Sequence, residues 1–250
     1  MMIRCLILLF FLLPVCAAER FPLFSEDLSF YQGFEDSIDA DLSAGREKPV
    51  WKAGTPRFES GLRGRALFCG KGGAKLRYQR KDNLNFDRPG TIVFFYRPLN
   101  WETEKNLPRL FFWAIESGKG YIGLQGANDP KNICMCERGF HLMLLFGKRL
   151  PVKVYPTPPT GKKGCSGWHM LAFSWAGDQL FVKWDDQPSK VFANGMALTD
   201  GDFPENSFSV GSDSHWNYLL DDFMVYARRI TDEELNQLYQ ANMKTGKAQK

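Results

Sequence analysis

Short apolar runs recur along most of the chain and are separated by segments that contain Gly, Asn, Asp or Pro. The runs are rich in Phe, Val, Ile, Tyr and Trp, which favour strands when they are bounded in this way. The dipeptide Gly177-Asp178 lies between two such runs and predicts a hairpin turn. Since no helical segment separates the strands, the pattern predicts an all-β protein, an antiparallel sandwich or barrel, and excludes a parallel α/β fold.

One helix is predicted, close to the C-terminus. Thr231 and Glu234 have the spacing of a capping box, in which each side chain bonds the backbone amide of the other residue. Ile230 and Leu235 flank the cap and predict a hydrophobic staple. The apolar side chains that share one face of this helix are Leu235, Leu238 and Tyr239.

The N-terminus is typical of a secretory signal peptide. Arg4 precedes an apolar run, which is followed by small residues and is too short for a membrane span. A lipid-modified N-terminus at Cys16 is the alternative. We expect the protein to be secreted, periplasmic or on the cell surface. The predicted segments are a signal peptide at 1–18, one domain at 19–243 and a polar, frayed tail at 244–250.

Four cysteines follow the predicted signal peptide, and an even number in an exported protein suggests disulfide bonds. Cys134 and Cys136 are too close in sequence to pair without strain. We therefore expect Cys136 to bond Cys165 and Cys69 to bond Cys134, although sequence alone does not fix the connectivity. The alternative is a zinc site, whose spacing matches no common zinc module. Its ligands would come from Cys134, Cys136, His141, Cys165 and His169.

The formal net charge is +4, and the basic residues are scattered along the chain rather than clustered. Scattered basic residues are typical of solvated loops and strand edges. The sequence therefore gives no reason to expect a nucleic-acid partner.

Four passages in the chain resemble one family in their order and content. They are LSFYQGFEDSIDADLSAG from residue 28, FESGLRGRALFCG from residue 58, GWHMLAFSWAGDQLFVKWDDQ from residue 167 and LLDDFMVYARRITDEELNQLY from residue 219. Together they resemble the laminin-G-like members of the concanavalin A-like lectin/glucanase superfamily, in particular the bacterial LamG-like jelly-roll domain. The chain departs from the family at residues 185–190, where the family has an Asp-Gly turn. The resemblance implies a two-sheet antiparallel jelly-roll sandwich that binds carbohydrate or a cell-surface partner.

Acidic residues stand near both ends of the predicted domain. Glu35 and Asp36 follow the first strand, and Asp221 lies in the last strand. The resemblance implies that these strands are neighbours and that the three side chains hold one structural calcium ion. The alternative is that Asp221 accepts hydrogen bonds from loop amides, or pairs with Arg228 or Arg229.

Aromatic side chains in polar, turn-rich segments are the best candidates for stacking on a sugar ring. Trp101 and Trp216 lie in such segments, and His215 and Asn217 flank Trp216. We expect these four residues to contact ligand. The tryptophans in strand patterns are expected to pack in the core instead; they are Trp113, Trp168, Trp175 and Trp184.

Carboxylates at alternate positions of one strand, which the glucanases of this superfamily use, are missing from the sequence. Asp185 and Asp186 are consecutive, and Asp200 and Asp202 lie in a loop segment. His169 is expected to be structural. We therefore expect a non-catalytic protein. The alternatives are a glycan-active hydrolase of the same superfamily with an unrecognised site, and a structural assembly module.

Overall fold

The computed structural model is an antiparallel β-sandwich of the jelly-roll type with one helix at the C-terminal end, which confirms the predicted fold class. All strand pairs are antiparallel, as hairpin spacing along the chain requires. The described residues are 22–99, 166–193, 195–202, 206–213 and 217–248, with the backbone of four further strands between residues 113 and 154.

In the described part of the chain, the first sheet contains nine strands. They are β1 (Leu28–Gln32), β2 (Leu42–Ser43), β4 (Phe58–Ser60), β5 (Arg65–Cys69), β7 (Gly90–Pro98), β12 (His169–Ala176), β13 (Gln179–Trp184), β14 (Lys190–Ala193) and β16 (Tyr218–Tyr226). The order across this sheet is β14-β13-β12-β7-β16-β1-β2, with β5 also paired to β16 and β4 paired to β5. The last strand therefore lies beside the first, as the resemblance implied.

The second sheet has seven strands among the described residues. They are β3 (Trp51–Ala53), β6 (Lys75–Gln79), β8 (Trp113–Glu116), β9 (Tyr121–Gly126), β10 (Phe140–Leu145), β11 (Val152–Val154) and β15 (Ser207–Gly211). Their order is β11-β10-β9-β8-β15-β6-β3. Two short 3-10 helices lie in the described residues: Ser25–Asp27 precedes β1, and Asp200–Asp202 lies between β14 and β15.

The main core lies between the two sheets and is strongly aromatic. Phe30 of the first sheet packs edge-on against Tyr78 and Phe208 of the second, with ring centroids 4.9 and 5.2 Å apart. Such edge-to-face pairs add favourable geometry to the burial of apolar area. Trp175 and Trp184 are buried in this core, as predicted, at 2% and 1% exposure.

The helix α1 (Asp232–Ala248) covers the outer face of the first sheet. Its predicted capping box is confirmed: the Thr231 amide donates to Glu234 Oε2 at 2.8 Å, and the Glu234 amide donates to Thr231 Oγ1 at 3.2 Å. Leu235 and Leu238 are buried in the same apolar cluster as Ile230. The helix continues to Ala248, into the segment 244–250 that the sequence predicts to be a polar tail.

The hairpin predicted at Gly177-Asp178 joins β12 to β13 through a two-residue turn. Gly177 has a φ of 57°, a conformation that glycine adopts without strain. The predicted signal peptide lies outside the described residues. Within them, no helix combines the length and the apolar character needed to cross a bilayer.

Candidate functional site

The predicted sugar-contacting residues fall mostly outside the described part of the chain. Trp101, His215 and Trp216 are not described, so their role stays a prediction. Asn217 is described and is half-buried. Its Oδ1 accepts the Lys71 amide at 2.9 Å, and its carbonyl accepts the Leu99 amide at 3.0 Å. Asn217 therefore anchors two neighbouring chain segments.

Cys69 is a free thiol, and the predicted disulfide bond between Cys69 and Cys134 is therefore corrected. The side chain faces the core between the sheets and is fully buried, and burial raises the pKa of its thiol to about 12. Cys134 lies outside the described residues, and so does the predicted pair of Cys136 with Cys165.

Asp221 is buried and accepts hydrogen bonds from backbone amides. Its Oδ2 accepts from Leu62 at 2.8 Å and from Arg63 at 3.3 Å, and its Oδ1 accepts from Asp222 at 2.9 Å. Burial and the neighbouring Asp222 raise the pKa of Asp221, while the two loop amides oppose that shift. The alternative of loop amides is thus confirmed, whereas Arg228 pairs instead with other residues, Asp27 and Glu234.

Asp222 interrupts the last strand and turns toward Arg63. The pairing of β16 with β7 shifts between Asp221 and Met224, and Asp222 has a φ of 48°, which together form a bulge. Arg63 donates three hydrogen bonds to the Asp222 carboxylate, at 2.8 to 3.1 Å, and Tyr31 donates a fourth at 2.6 Å. The bulge therefore brings the buried Asp222 carboxylate into contact with Arg63, for which the sequence gave no signal.

Glu35 and Asp36 contact the same loop that binds Asp221. Glu35 Oε2 accepts the Arg65 amide at 3.1 Å, and Asp36 pairs with the Arg65 guanidinium. Gly64 makes this approach possible: it has a φ of 60°, and a Cβ there would lie 2.1 Å from Glu35 Oε2.

The predicted calcium ligands do not fit a cation site. N–H hydrogens point at the carboxylates of Glu35, Asp36 and Asp221, where calcium would need free oxygen lone pairs. Among the described residues, no group of three or more His, Cys, Asp or Glu side chains could hold a metal. The sequence pointed only to the distant Arg228 and Arg229, whereas the structure supplies Arg63 from the turn between β4 and β5 and Arg65 from the start of β5.

His169 is buried on β12, in the structural position expected for it. Its Nδ1 lies 2.8 Å from Asp185 Oδ2 and its Nε2 lies 3.2 Å from the Ser166 carbonyl. Asp185 also accepts the Met170 amide at 2.7 Å and Trp184 Nε1 at 3.1 Å. Because both ring nitrogens already face protein acceptors, His169 is not available as the zinc ligand of the alternative hypothesis.

A polar cleft of about 440 Å³ opens at one end of the sandwich. It lies where the segment after β6, residues 80–89, meets the short helix Asp200–Asp202 and the ends of β1, β12 and β16. Its volume is in the range of small-ligand sites. The charged and amide side chains that line it are Arg80, Lys81, Asp82, Asn85, Arg88, Asp200 and Asn206.

Arg80 and Asp200 form one wall of the cleft. Arg80 Nη1 donates to Asp200 Oδ1 at 2.7 Å, and the same oxygen accepts the Phe86 amide at 2.8 Å. The Arg80 side chain is 9% exposed. This pair ties the segment after β6 to the short helix 120 residues later in the chain.

Asn83 holds the cleft segment in shape although it does not line the cleft. It is fully buried, and its Oδ1 accepts from Ser43 Oγ and the Gly45 amide, each at 2.8 Å. Its Nδ2 donates to the carbonyls of Arg46 and Gln79. A fully bonded buried amide of this kind fixes one backbone arrangement.

Asn206 and Trp175 fix the remaining sides of the cleft. Asn206 accepts the Arg80 amide through its carbonyl at 3.0 Å and the Lys81 amide through its Oδ1 at 2.9 Å. Trp175 Nε1 donates to the Arg88 carbonyl at 2.6 Å. The cleft is therefore preorganised, with its backbone bonded to protein and several side chains facing solvent.

The sequence did not mark the residues of this cleft as a binding site. Most of its polar side chains come from loops, where neither apolar periodicity nor a known motif marks them. The dipeptides Asn85-Phe86 and Asp87-Arg88 carried no more signal than other polar segments of the chain.

An exposed tryptophan, Trp51, was also missed. It lies on β3, an edge strand, and its side chain is 44% exposed. The Arg77 guanidinium lies 5.1 Å from the centre of its ring. An exposed ring of this kind can stack on the apolar face of a sugar.

No protein-family model matches the sequence, and no curated protein matches it. Solved structures with the same fold do match. Domain 4 of AbnA, a GH43 extracellular arabinanase from Geobacillus stearothermophilus, solved in complex with arabinotriose, matches with a TM-score of 0.59 and 15% identity. That match covers 86% of this chain and 98% of the arabinanase domain.

Botulinum neurotoxin binding domains match as well. The binding domain of neurotoxin DC in complex with SialylT matches with a TM-score of 0.64 and 10% identity, over 87% of this chain and 52% of that one. The chain thus spans about half the length of the toxin structures. A neurotoxin type C structure, described as depending on two ganglioside molecules for cell entry, matches with a TM-score of 0.62. At these identities the likeness is one of fold.

Proposed function

We propose that this chain is an exported, non-catalytic glycan-binding domain of the LamG-like type. The polar cleft carries the proposal, because it combines a preorganised backbone with amide, guanidinium and ammonium donors at the rim. Sugar hydroxyls are recognised by such donors and acceptors. The matches to domains solved with arabinotriose and with SialylT support this reading at the level of fold. The signal-like N-terminus supports export.

The arrangement of carboxylates supports a binding role. Asp185 is held by His169, and Asp200 is held by Arg80, so each has a structural partner. Asp202 caps its own turn by accepting the Thr199 amide and hydroxyl. A glycosidase needs an acid and a nucleophile or base, both free to face the same bond, and these residues do not form that pair.

A glycan array tests the proposal with one variant that fills the cleft. Ala227 lines the cleft and is exposed, so Ala227→Phe would occupy ligand space without disturbing the core. Ala193, an exposed alanine at the end of β14, gives the matched control Ala193→Phe. We expect wild type and Ala193→Phe to bind the same glycans and Ala227→Phe to lose that binding. Binding that survives in Ala227→Phe would place the site elsewhere, and release of reducing ends would contradict the non-catalytic role.

A further inference from the structure

The charges of the cleft are unevenly paired. Lys81 and Arg88 both line the cleft and are exposed. Neither has an ion-pair partner in the described part of the chain. The Arg88 backbone is fixed by the bond from Trp175, so its side chain starts from a defined position. Two cations with a fixed backbone and free side chains are thus available to a ligand.

The other charges leave the cleft positive. Arg80 and Asp200 neutralise each other. Asp82 is an exposed carboxylate in the lining and opposes the cations, while Asp87 lies outside the lining and accepts the Asp200 amide. Two unpaired cations against one unpaired carboxylate favour an anion over a neutral ligand, and the cleft walls reduce solvent screening of that preference.

Building on the proposed glycan-binding function, we infer that the cleft selects acidic sugars and that Lys81 and Arg88 bind the carboxylate of a uronic-acid unit. The planar guanidinium of Arg88 matches a carboxylate in two-point geometry, and the Lys81 ammonium adds a point charge. Asn85, at the same rim, is placed to bond a neighbouring hydroxyl. Such contacts are charge-assisted and weaken as salt increases.

Pairs of polysaccharides that differ only in charge test this inference. The probes are polygalacturonate, alginate and hyaluronan, each compared by calorimetry with its carboxyl-reduced, neutral form. We expect wild type to bind at least one acidic form roughly tenfold or more tightly than its neutral counterpart, because charged hydrogen bonds contribute more than neutral ones. The preference should shrink between 50 and 200 mM NaCl.

Two variants assign the preference to its residues. Lys81→Ala and Arg88→Ala should each weaken binding of the acidic form by about tenfold and leave the neutral form nearly unchanged. Lys52→Ala is the control, since Lys52 is exposed, has no ion-pair partner among the described residues and does not line the cleft. Thermal melting of all three variants checks that the fold is kept.

The outcomes separate the two proposals. Glycan binding with no preference for the acidic forms, or an equal loss on both forms in the variants, would overturn the acidic-sugar inference and leave the glycan-binding function standing. No binding to any polysaccharide, on the array or in these pairs, would overturn both. If Lys52→Ala lost the preference for acidic forms and Arg88→Ala kept it, the residues that bind the carboxylate would have been assigned wrongly.

Discussion

Arg63 supplies the positive charge that the acidic residues of the last strand need. It binds a carboxylate that is almost completely buried, with a side-chain exposure of 3% for Asp222 against 25% for Arg63. Removing one partner of such a pair leaves an uncompensated charge in the interior. Arg65, two residues later, binds Asp36 in an exposed pair and offers a matched comparison.

We expect Arg63→Ala to lower the free energy of unfolding by roughly 3 kcal/mol or more, as for other broken buried pairs. Arg65→Ala should lower it by roughly 1 kcal/mol or less, because an exposed pair contributes little. Urea unfolding of both variants measures the difference. Equal effects would mean that the Asp222 carboxylate is not held as the structure indicates.

The amides around Asp221 lead to a prediction about calcium. Since N–H groups already occupy both oxygens of Asp221 and one oxygen each of Glu35 and Asp36, we expect the melting temperature to be the same in chelator and in millimolar calcium, after metal has been stripped under denaturing conditions. If calcium raised the melting temperature and Asp221→Ala abolished that rise, the calcium ligands implied by the resemblance would be correct.

Cys69 gives a third prediction at this scale. Because its pKa is raised to about 12 and the thiol is buried, we expect no alkylation of this residue in the folded protein at pH 8. Alkylation should become complete in denaturant, as measured by mass spectrometry of the peptide that contains it. A Cys69–Cys134 bridge found by non-reducing peptide mapping would contradict the free thiol.

At the scale of elements, the helix α1 depends on the cluster of contacts around Glu234. This side chain accepts from Arg228 at 2.8 and 2.9 Å and from Thr231 at 2.8 and 3.0 Å. The Arg228 guanidinium and these cap bonds lower the pKa of Glu234 to about 2. The folded state therefore favours the ionised form.

A carboxylate with a lowered pKa adds stability above its ordinary value of 4.5 and loses that contribution as pH falls toward about 2. We expect the melting temperature of wild type to fall more between pH 6 and pH 2.5 than that of Glu234→Gln, which cannot titrate at this position. The variant should be the less stable of the two at pH 6. If the melting temperatures of wild type and Glu234→Gln changed with pH in parallel, the charge of Glu234 would not contribute to stability.

The elements also show what sequence could and could not predict. The β12–β13 hairpin, most of the strands and the capping box depend on neighbours in the chain and were predicted from them, whereas the short strands β2, β3 and β4 were not. The Arg63–Asp222 pair joins residues 159 apart, and the Arg80–Asp200 pair joins residues 120 apart. Such contacts depend on which loops the sandwich brings together, and no local pattern encodes that.

At the scale of the whole molecule, different parts of the sandwich provide stability and the candidate binding site. Its two sheets bury the aromatic core between them, and the helix covers the outer face of the first sheet. Arg63 and Arg65 bind the acidic residues that follow the first strand and lie in the last strand. One end of the sandwich leaves a preorganised polar cleft. Fold alone does not give function, since domains with this fold bind different ligands. The proposed function therefore requires that glycan binds in this cleft.

Amide hydrogen exchange, followed by mass spectrometry with and without the glycan selected on the array, shows where on the chain glycan binds. We expect slower exchange on binding in peptides that cover residues 80–90 and 199–202, with no change in α1 or in residues 61–65. Protection confined to other segments, such as the one that contains Trp216 or the edge strand of Trp51, would contradict it.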